Sequence, residues 1–134
     1  MRKKEEGFTL VELMVVIIIL AVLTGVAIPT YLALRDRSRE IATESSMNNI
    51  ALALSIYDAD NESFPLTGDY PGDLESRDYM KYVPENDSWG NALQYSSQDG
   101  STYTLESFGS DGADGGGDDI VFVDGLMAES GSFN

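Results

Sequence analysis

From Phe8 to Ile28 the chain runs for 21 residues with one ionisable side chain, Glu12. As a helix this stretch would span about 31 Å at about 1.5 Å per residue, the thickness of a bilayer's hydrocarbon core. The flank before it is short and basic, Arg2, Lys3 and Lys4, followed by Glu5, Glu6 and Gly7. A secretory signal peptide fits poorly, because the apolar run is too long and no small-x-small site closes it cleanly. An ordinary membrane anchor leaves Glu12 unexplained. A carboxylate in hydrocarbon costs on the order of 3 kcal/mol, and such residues mark function.

Helical signals continue past the apolar run. Pro29 should kink or loosen the helix by removing one backbone hydrogen bond. Met47, Ile50, Leu54 and Tyr57 then recur at helical spacing, one apolar face ready to pack on a small sheet. The pattern predicts one helix from Phe8 to Tyr57, its second half docked on a globular domain. The acids Asp58, Asp60 and Glu62 resemble the opening of an EF-hand loop. Ser63 stands where that loop needs Gly, however, and Pro65 interrupts it, so a solvated helix terminus is the better reading.

Residues 66–88 are rich in turn formers, with a short helix expected around Gly72 to Tyr82. Strands are expected at Leu93–Tyr95, Thr102–Phe108 and Ile120–Val123, the first two joined through the hairpin signal Asp99-Gly100. Trp89 reads as a core anchor beside the turn Gly90-Asn91. The tail from Gly125 to Asn134 reads as frayed. The fold class is therefore α+β, a long N-terminal helix packed in its second half on a small antiparallel sheet.

The chain has neither cysteine nor histidine. That removes disulfide staples, Ser-His-Asp and Cys-His catalysis and the usual zinc sites together, so an enzyme is a poor expectation. Formal net charge is −15, and no Lys or Arg follows Lys81. So acidic a chain is not built to neutralise phosphates, and no nucleic-acid partner is expected. Four carboxylates, Asp111, Asp114, Asp118 and Asp119, crowd into residues 109–119 among glycines. Hard oxygen ligands on a flexible backbone suit Ca²⁺. Composition alone fits a solvated acidic loop at least as well.

The run Gly7-Phe8-Thr9-Leu10-Val11-Glu12 with its apolar continuation resembles the N-terminus of type IV pilins and type II secretion pseudopilins. The resemblance implies a leader of residues 1–7, cut between Gly7 and Phe8 by a prepilin peptidase that methylates the new amine on Phe8. It further implies an assembly helix at 8–28, a periplasmic half-helix at 29–60 and a small globular domain at 61–134. Cleavage leaves five basic and 21 acidic side chains. In a staggered bundle the Glu12 carboxylate of one subunit can then meet the Phe8 amine of its neighbour, each neutralising the other where either alone would be expensive. Within its own chain, Glu12 also sits in the first helical turn, where the dipole favours negative charge.

Asp87-Ser88-Trp89-Gly90-Asn91 resembles a segment of the major pseudopilins, with Ser88 in place of their usual Pro. Residues 108–120 resemble their calcium-binding loop. That implies calcium ligands from Asp111, Asp118 and Asp119, the Phe108 carbonyl and, beyond these, Asp114. The implied function is a structural subunit of the type II secretion pseudopilus, anchored in the inner membrane with a periplasmic domain. Its partners would be further copies of itself, minor pseudopilins and the inner-membrane assembly platform. Charge alone does not set the orientation, because Arg35, Arg37 and Arg39 beyond the span offset the basic leader. Two alternatives stand beside this reading. One is a type IV pilus subunit, although many such pilins close their C-terminal region with a disulfide; the other is a membrane-anchored calcium-dependent binding protein.

Overall fold

The computed structural model describes residues 6–130, so the basic leader Arg2, Lys3 and Lys4 and the last four residues lie outside the described residues. The chain divides into two compact units, Met1–Arg35 and Asp36–Asn134. One helix, α1, runs Leu10–Asn61 and contributes to both.

In the first unit the helix begins with a reciprocal cap. The Thr9 N–H donates to Glu12 Oε2 at 2.9 Å, and the Glu12 N–H donates to Thr9 Oγ1 at 3.2 Å. This capping box satisfies two backbone donors that an open helix end would leave bare, and it sets the start at Leu10, not at Phe8. Every residue from Leu10 to Ile28 is exposed. The stretch is long and apolar enough to cross a membrane, and none of it is buried among the described residues. The helix passes through Pro29 without interruption. Close by, the Thr24 and Thr30 hydroxyls donate back to the carbonyls of Leu20 and Val26, at 2.7 and 3.1 Å.

In the second unit α1 buries Thr43, Met47, Ile50, Ala51, Leu54 and Tyr57, the face that the apolar spacing predicts. Apart from Thr43, they form one core with Leu74, Val83, Tyr103, Leu105, Ile120 and Phe122. The helix runs four residues past Tyr57, and its end is capped by its own last residues and held by Arg77 and Tyr79. Asn61 Nδ2 donates to the Tyr57 carbonyl at 2.9 Å, and the Glu62 N–H donates to the Asp58 carbonyl at 2.7 Å. Glu62 then adopts a left-handed φ of 60°, the usual helix stop. Arg77 donates to Asn61 Oδ1 at 2.8 Å and lies 5.5 Å from the Tyr57 ring centroid. Its positive charge suits the negative end of the helix. The Asp60 carboxylate accepts from the Tyr79 hydroxyl at 3.0 Å. The acids at 58–62 are thus a helix terminus, as their departures from the EF-hand pattern imply.

The short helix α2, Gly72–Ser76, stops well before Tyr82. Asp78 takes a left-handed φ of 63°, and the Tyr79 and Met80 N–H groups both turn back to the Leu74 carbonyl. An antiparallel sheet follows: β1 (Gln94–Ser96), β2 (Thr104–Ser107), β3 (Ile120–Val123) and β4 (Leu126–Glu129), in that order across the sheet. Leu105, Ser107, Ile120 and Phe122 face inward onto the helix-lined core.

The fourth strand corrects the frayed tail expected from the sequence. Asp124 and Gly125 both have positive φ, 50° and 83°, as a two-residue hairpin turn requires. The Asp124 carboxylate accepts from the Tyr103 N–H at 2.8 Å, and the Asp124 N–H donates to the Tyr103 carbonyl at 3.2 Å. Residues 126–129 therefore pair with β3.

Candidate metal centre

The acidic segment is a loop closed at its base by the sheet. β2 ends at Ser107 and β3 starts at Ile120, and these two residues pair directly. Between them the backbone folds tightly enough that two glycines have no substitute. Gly109 has φ +64°, and a Cβ there would run into the Asp118 carbonyl and approach Asp118 Oδ2 to 2.7 Å. Gly116 has φ +87°, and a Cβ there would lie 2.8 Å from Asp111 Oδ2 and 3.3 Å from Asp118 Oδ1. Left-handed backbone alone disfavours any other residue.

Asp111, Asp118 and Asp119 each commit one carboxylate oxygen to backbone donors of the loop. Asp118 Oδ2 accepts from the Ser110 N–H at 2.7 Å, the Ser110 hydroxyl at 2.8 Å and the Asp111 N–H at 3.0 Å. Desolvation would raise the Asp118 carboxyl, but the hydrogen bonds from Ser110 and Asp111 outweigh it and hold the group below its ordinary value. Asp111 Oδ1 accepts from the Ala113 N–H at 2.9 Å, and Asp119 Oδ2 accepts from the Gly115 N–H at 2.7 Å. The other oxygens of Asp111 and Asp118 converge over Gly116. Asp111, Asp118 and Asp119 each offer a carboxylate oxygen within 4.8 Å of the others.

Asp119 is 7% exposed, and its Oδ1 is a buried acceptor with no hydrogen-bond partner among the described residues. A bare, buried carboxylate oxygen costs free energy unless something cationic meets it. No Lys or Arg follows position 81 in the sequence. The donor set is all oxygen, which suits a hard divalent cation. The residues present therefore fit a metal ion.

Of the ligands expected from the sequence, Asp111, Asp118 and Asp119 come together. Asp114 does not join them; it groups with Asp119 and with Glu106, a β2 residue. Phe108 follows β2 directly, next to Gly109, whose carbonyl is already taken by Asn91 Nδ2 at 2.8 Å. Sequence reading missed Glu106 because it belongs to a strand. Its register carries the signal. Glu106 pairs with Val121, and opposed residues share a sheet face, so alternation brings Asp119 to the side of Glu106.

The turn at 87–91 braces the loop from behind. Asp87, 8% exposed, accepts from the Trp89 and Asn91 N–H groups at 3.0 and 2.8 Å through Oδ1, and from the Ser107 hydroxyl at 2.7 Å through Oδ2. The Ser88 N–H donates to Thr43 Oγ1 of α1 at 3.1 Å. Trp89 packs on the core, half-buried, as an anchor should. The chain thus ties helix, turn and loop base together through short polar contacts. Two expectations follow. Asp87→Ala should cost about 3 kcal/mol, because three donors lose their acceptor in a desolvated place. Gly109→Ala should cost a similar ~3 kcal/mol through left-handed strain plus overpacking. Urea unfolding of the full chain in detergent measures both. A loss below about 1 kcal/mol for either would contradict the bracing described here.

At the other end of the chain, Gly7 and Phe8 precede the helix in an exposed segment, Phe8 being 95% exposed. Together with Glu6 and Glu12 they line an open hollow of about 220 Å³.

Comparison with known proteins agrees with both ends. The family described as the prokaryotic N-terminal methylation motif matches residues 2–28, and the one described as type II secretion system, protein G, matches residues 30–123. The type II secretion system core protein G of Pseudomonas aeruginosa is 31% identical over 131 residues, covering 87% of this chain and 92% of that one. That of Vibrio cholerae is 31% identical over 145 residues, covering 98% and 94%. The type IV wide pilus major component of Thermus thermophilus is 37% identical over 62 residues, covering 46% and 47%. With a helix of membrane length capped at Thr9 and Glu12, an α+β unit behind it and these matches along nearly its whole length, the chain belongs to the type II secretion system protein G family, the major pseudopilins.

Proposed function

We propose that this chain is a structural subunit of a type II secretion pseudopilus and acts by assembling with further copies of itself. The observation that carries the reading is the apolar stretch Leu10–Ile28, exposed throughout. Such a surface requires hydrocarbon before assembly and neighbouring helices after it. The inner membrane would hold the chain by this one span, with the second unit in the periplasm. Minor pseudopilins and the assembly platform would be its other partners. The role is structural and not enzymatic, in keeping with its relatives. The resemblance to a type IV pilus component covers under half of the chain, which favours the pseudopilin reading over the pilin alternative.

The proposed domains follow the chemistry. Residues 1–7 are the leader, 8–28 the assembly helix, 29–60 the periplasmic half-helix and 61–134 the globular part. Gly7 supports the cut site in an unexpected way. Among the described residues, nothing lies within 4 Å of where a Cβ on Gly7 would stand, and its φ is not in the left-handed region. The described fold makes no demand for glycine there, which leaves the position free to serve a protein that reads the segment. Gly7→Val should therefore leave the unfolding midpoint unchanged while blocking conversion to a chain that begins at methylated Phe8. Intact-mass spectrometry of the chain coexpressed with a prepilin peptidase reads this directly; full conversion of the variant would count against the site.

Calcium is the proposed metal, held by Asp111, Asp118 and Asp119 with the Phe108 carbonyl. A divalent cation there supplies charge neutralisation and a cross-link between the two ends of the loop, a role that disulfides cannot take in a chain without cysteine. Glu12 is the proposed register residue. Its Oε2 is engaged by Thr9, and Oε1 would take the Phe8 amine of a neighbouring subunit. Filament yield, read by electron microscopy and pelleting, tests the function as a whole.

A further inference from the structure

A helix that packs one face on a core ordinarily shows charge on the other. In the second unit α1 does not. Ile41, Ser45, Asn48, Leu52 and Ile56 recur at intervals of four, three, four and four, on the side opposite the buried Met47, Ile50 and Leu54. Ile41, Leu52 and Ile56 are 56%, 62% and 47% exposed. No exposed residue from Ile41 to Ala59 is charged, and the two acids of that span, Glu44 and Asp58, are half-buried.

Strand β4 extends this face. It lies at the edge of the sheet, and among the described residues no strand pairs with its outer side. The turn that leads into it abuts the helix, because a Cβ on Gly125 would stand 3.6 Å from Ser55 Oγ. Just past its far end the chain meets the helix again, where the Ser130 hydroxyl donates to Glu44 Oε1 at 3.2 Å. Between these contacts Met127, paired with Phe122 on the helix-facing side of the sheet, is 44% exposed. An open, apolar strand edge beside an uncharged helix face is a template for association.

We propose that a second copy of this chain covers this face, Ile41 to Ile56 of α1 with Met127 at the β4 edge, when the chain assembles. The proposal rests on the reading of the chain as a self-assembling subunit, and it adds a subunit contact outside the membrane-length stretch. Charge selects the occupant. The chain carries a formal −15, so two copies repel wherever their acidic surfaces meet. They approach closely only where charge is absent, and this face is such a place. A basic partner would be drawn to the carboxylates instead. The face also belongs to the helix that carries Leu10–Ile28, so gathering those stretches raises the local concentration of second units.

The chain has no cysteine, so one introduced thiol is a unique label site. Leu52→Cys is the test, and Gln98→Cys, exposed between β1 and β2, is the control. Full chains of each would meet a water-soluble maleimide twice, dispersed in phospholipid vesicles and then in filaments assembled from the same purified chains. Assembly should slow labelling of Leu52→Cys about tenfold, as in an interface that excludes water, and leave Gln98→Cys unchanged. Labelling of Leu52→Cys that assembly does not slow would overturn the proposal while filament formation, and the reading beneath it, stood. Protection already present in the vesicles would assign the face to lipid and overturn it too. Leu52→Glu, at an exposed position, should keep the unfolding midpoint and lower filament yield about tenfold. Normal filaments from that variant would also overturn the proposal. A wild type that forms no filaments would sink the assembly reading itself, and this surface with it.

Discussion

Chelation of calcium should lower the unfolding midpoint of the second unit by about 10–20 °C. A ligand bound only to the folded state stabilises it by RT ln(1 + [L]/Kd), about 2.7 kcal/mol at a hundredfold excess. Each kcal/mol moves the midpoint of a domain this size by roughly 4–8 °C. Differential scanning calorimetry of the full chain in detergent, with calcium and then with excess chelator, gives the shift. Two variants divide the effect. Asp111→Ala removes a ligand whose contacts inside the loop are few, so its midpoint should match that of the chelated wild type and stop responding to calcium. Asp118→Ala also orphans the N–H groups of Ser110 and Asp111 and the Ser110 hydroxyl, so it should fall further even without metal. A wild-type midpoint indifferent to chelator would make the segment a solvated loop.

The second large effect is expected at Glu12, and the capping box makes it sharper than a simple deletion. Glutamine at this position keeps the reciprocal bond to Thr9, because capping boxes accept Gln as well as Glu. It removes only the charge. If Glu12 sets register by neutralising a neighbour's Phe8 amine, Glu12→Gln should reduce filament yield at least tenfold while the helix and the second unit stay intact. Leaving an unpaired amine in a desolvated bundle costs several kcal/mol, ample for that loss. If capping were its whole role, Glu12→Gln would assemble normally and only Glu12→Ala would lose about 1 kcal/mol of helix stability. Pelleting of sheared filaments, with circular dichroism of the same samples, separates the two.

Where the sequence is informative, it is so for physical reasons. An apolar run of this length fits a helix that can cross a membrane, and the Met47-Ile50-Leu54-Tyr57 spacing leaves little choice of helix face. Strand β3 is equally plain because Ile120–Val123 is a continuous β-branched and aromatic run. The expectation of a free tail failed at β4, although the signal was present. Asp124-Gly125 is as good a hairpin turn as Asp99-Gly100, but the small and polar residues after Met127 masked it. The helix start was misplaced by two residues because Thr9-x-x-Glu12 is a capping box hidden inside a motif with another reading. Glu106 was not legible at all. Its nearness to Asp114 and Asp119 depends on which residue faces it across the sheet, and register is a long-range property that no local window contains. The same holds for Asn91, whose bond to the Gly109 carbonyl joins segments 18 residues apart.

Assembly through the Phe8–Glu12 pair is the central claim, and cross-linking tests it most directly. Filaments would be grown from a mixture of isotopically light and heavy chains, treated with a zero-length carbodiimide reagent and digested for mass spectrometry. The account predicts mixed light–heavy peptides joining the Phe8 amine of one chain to the Glu12 carboxylate of another. Filaments whose Phe8–Glu12 links were all within one isotope class, or that formed with no such link, would contradict it.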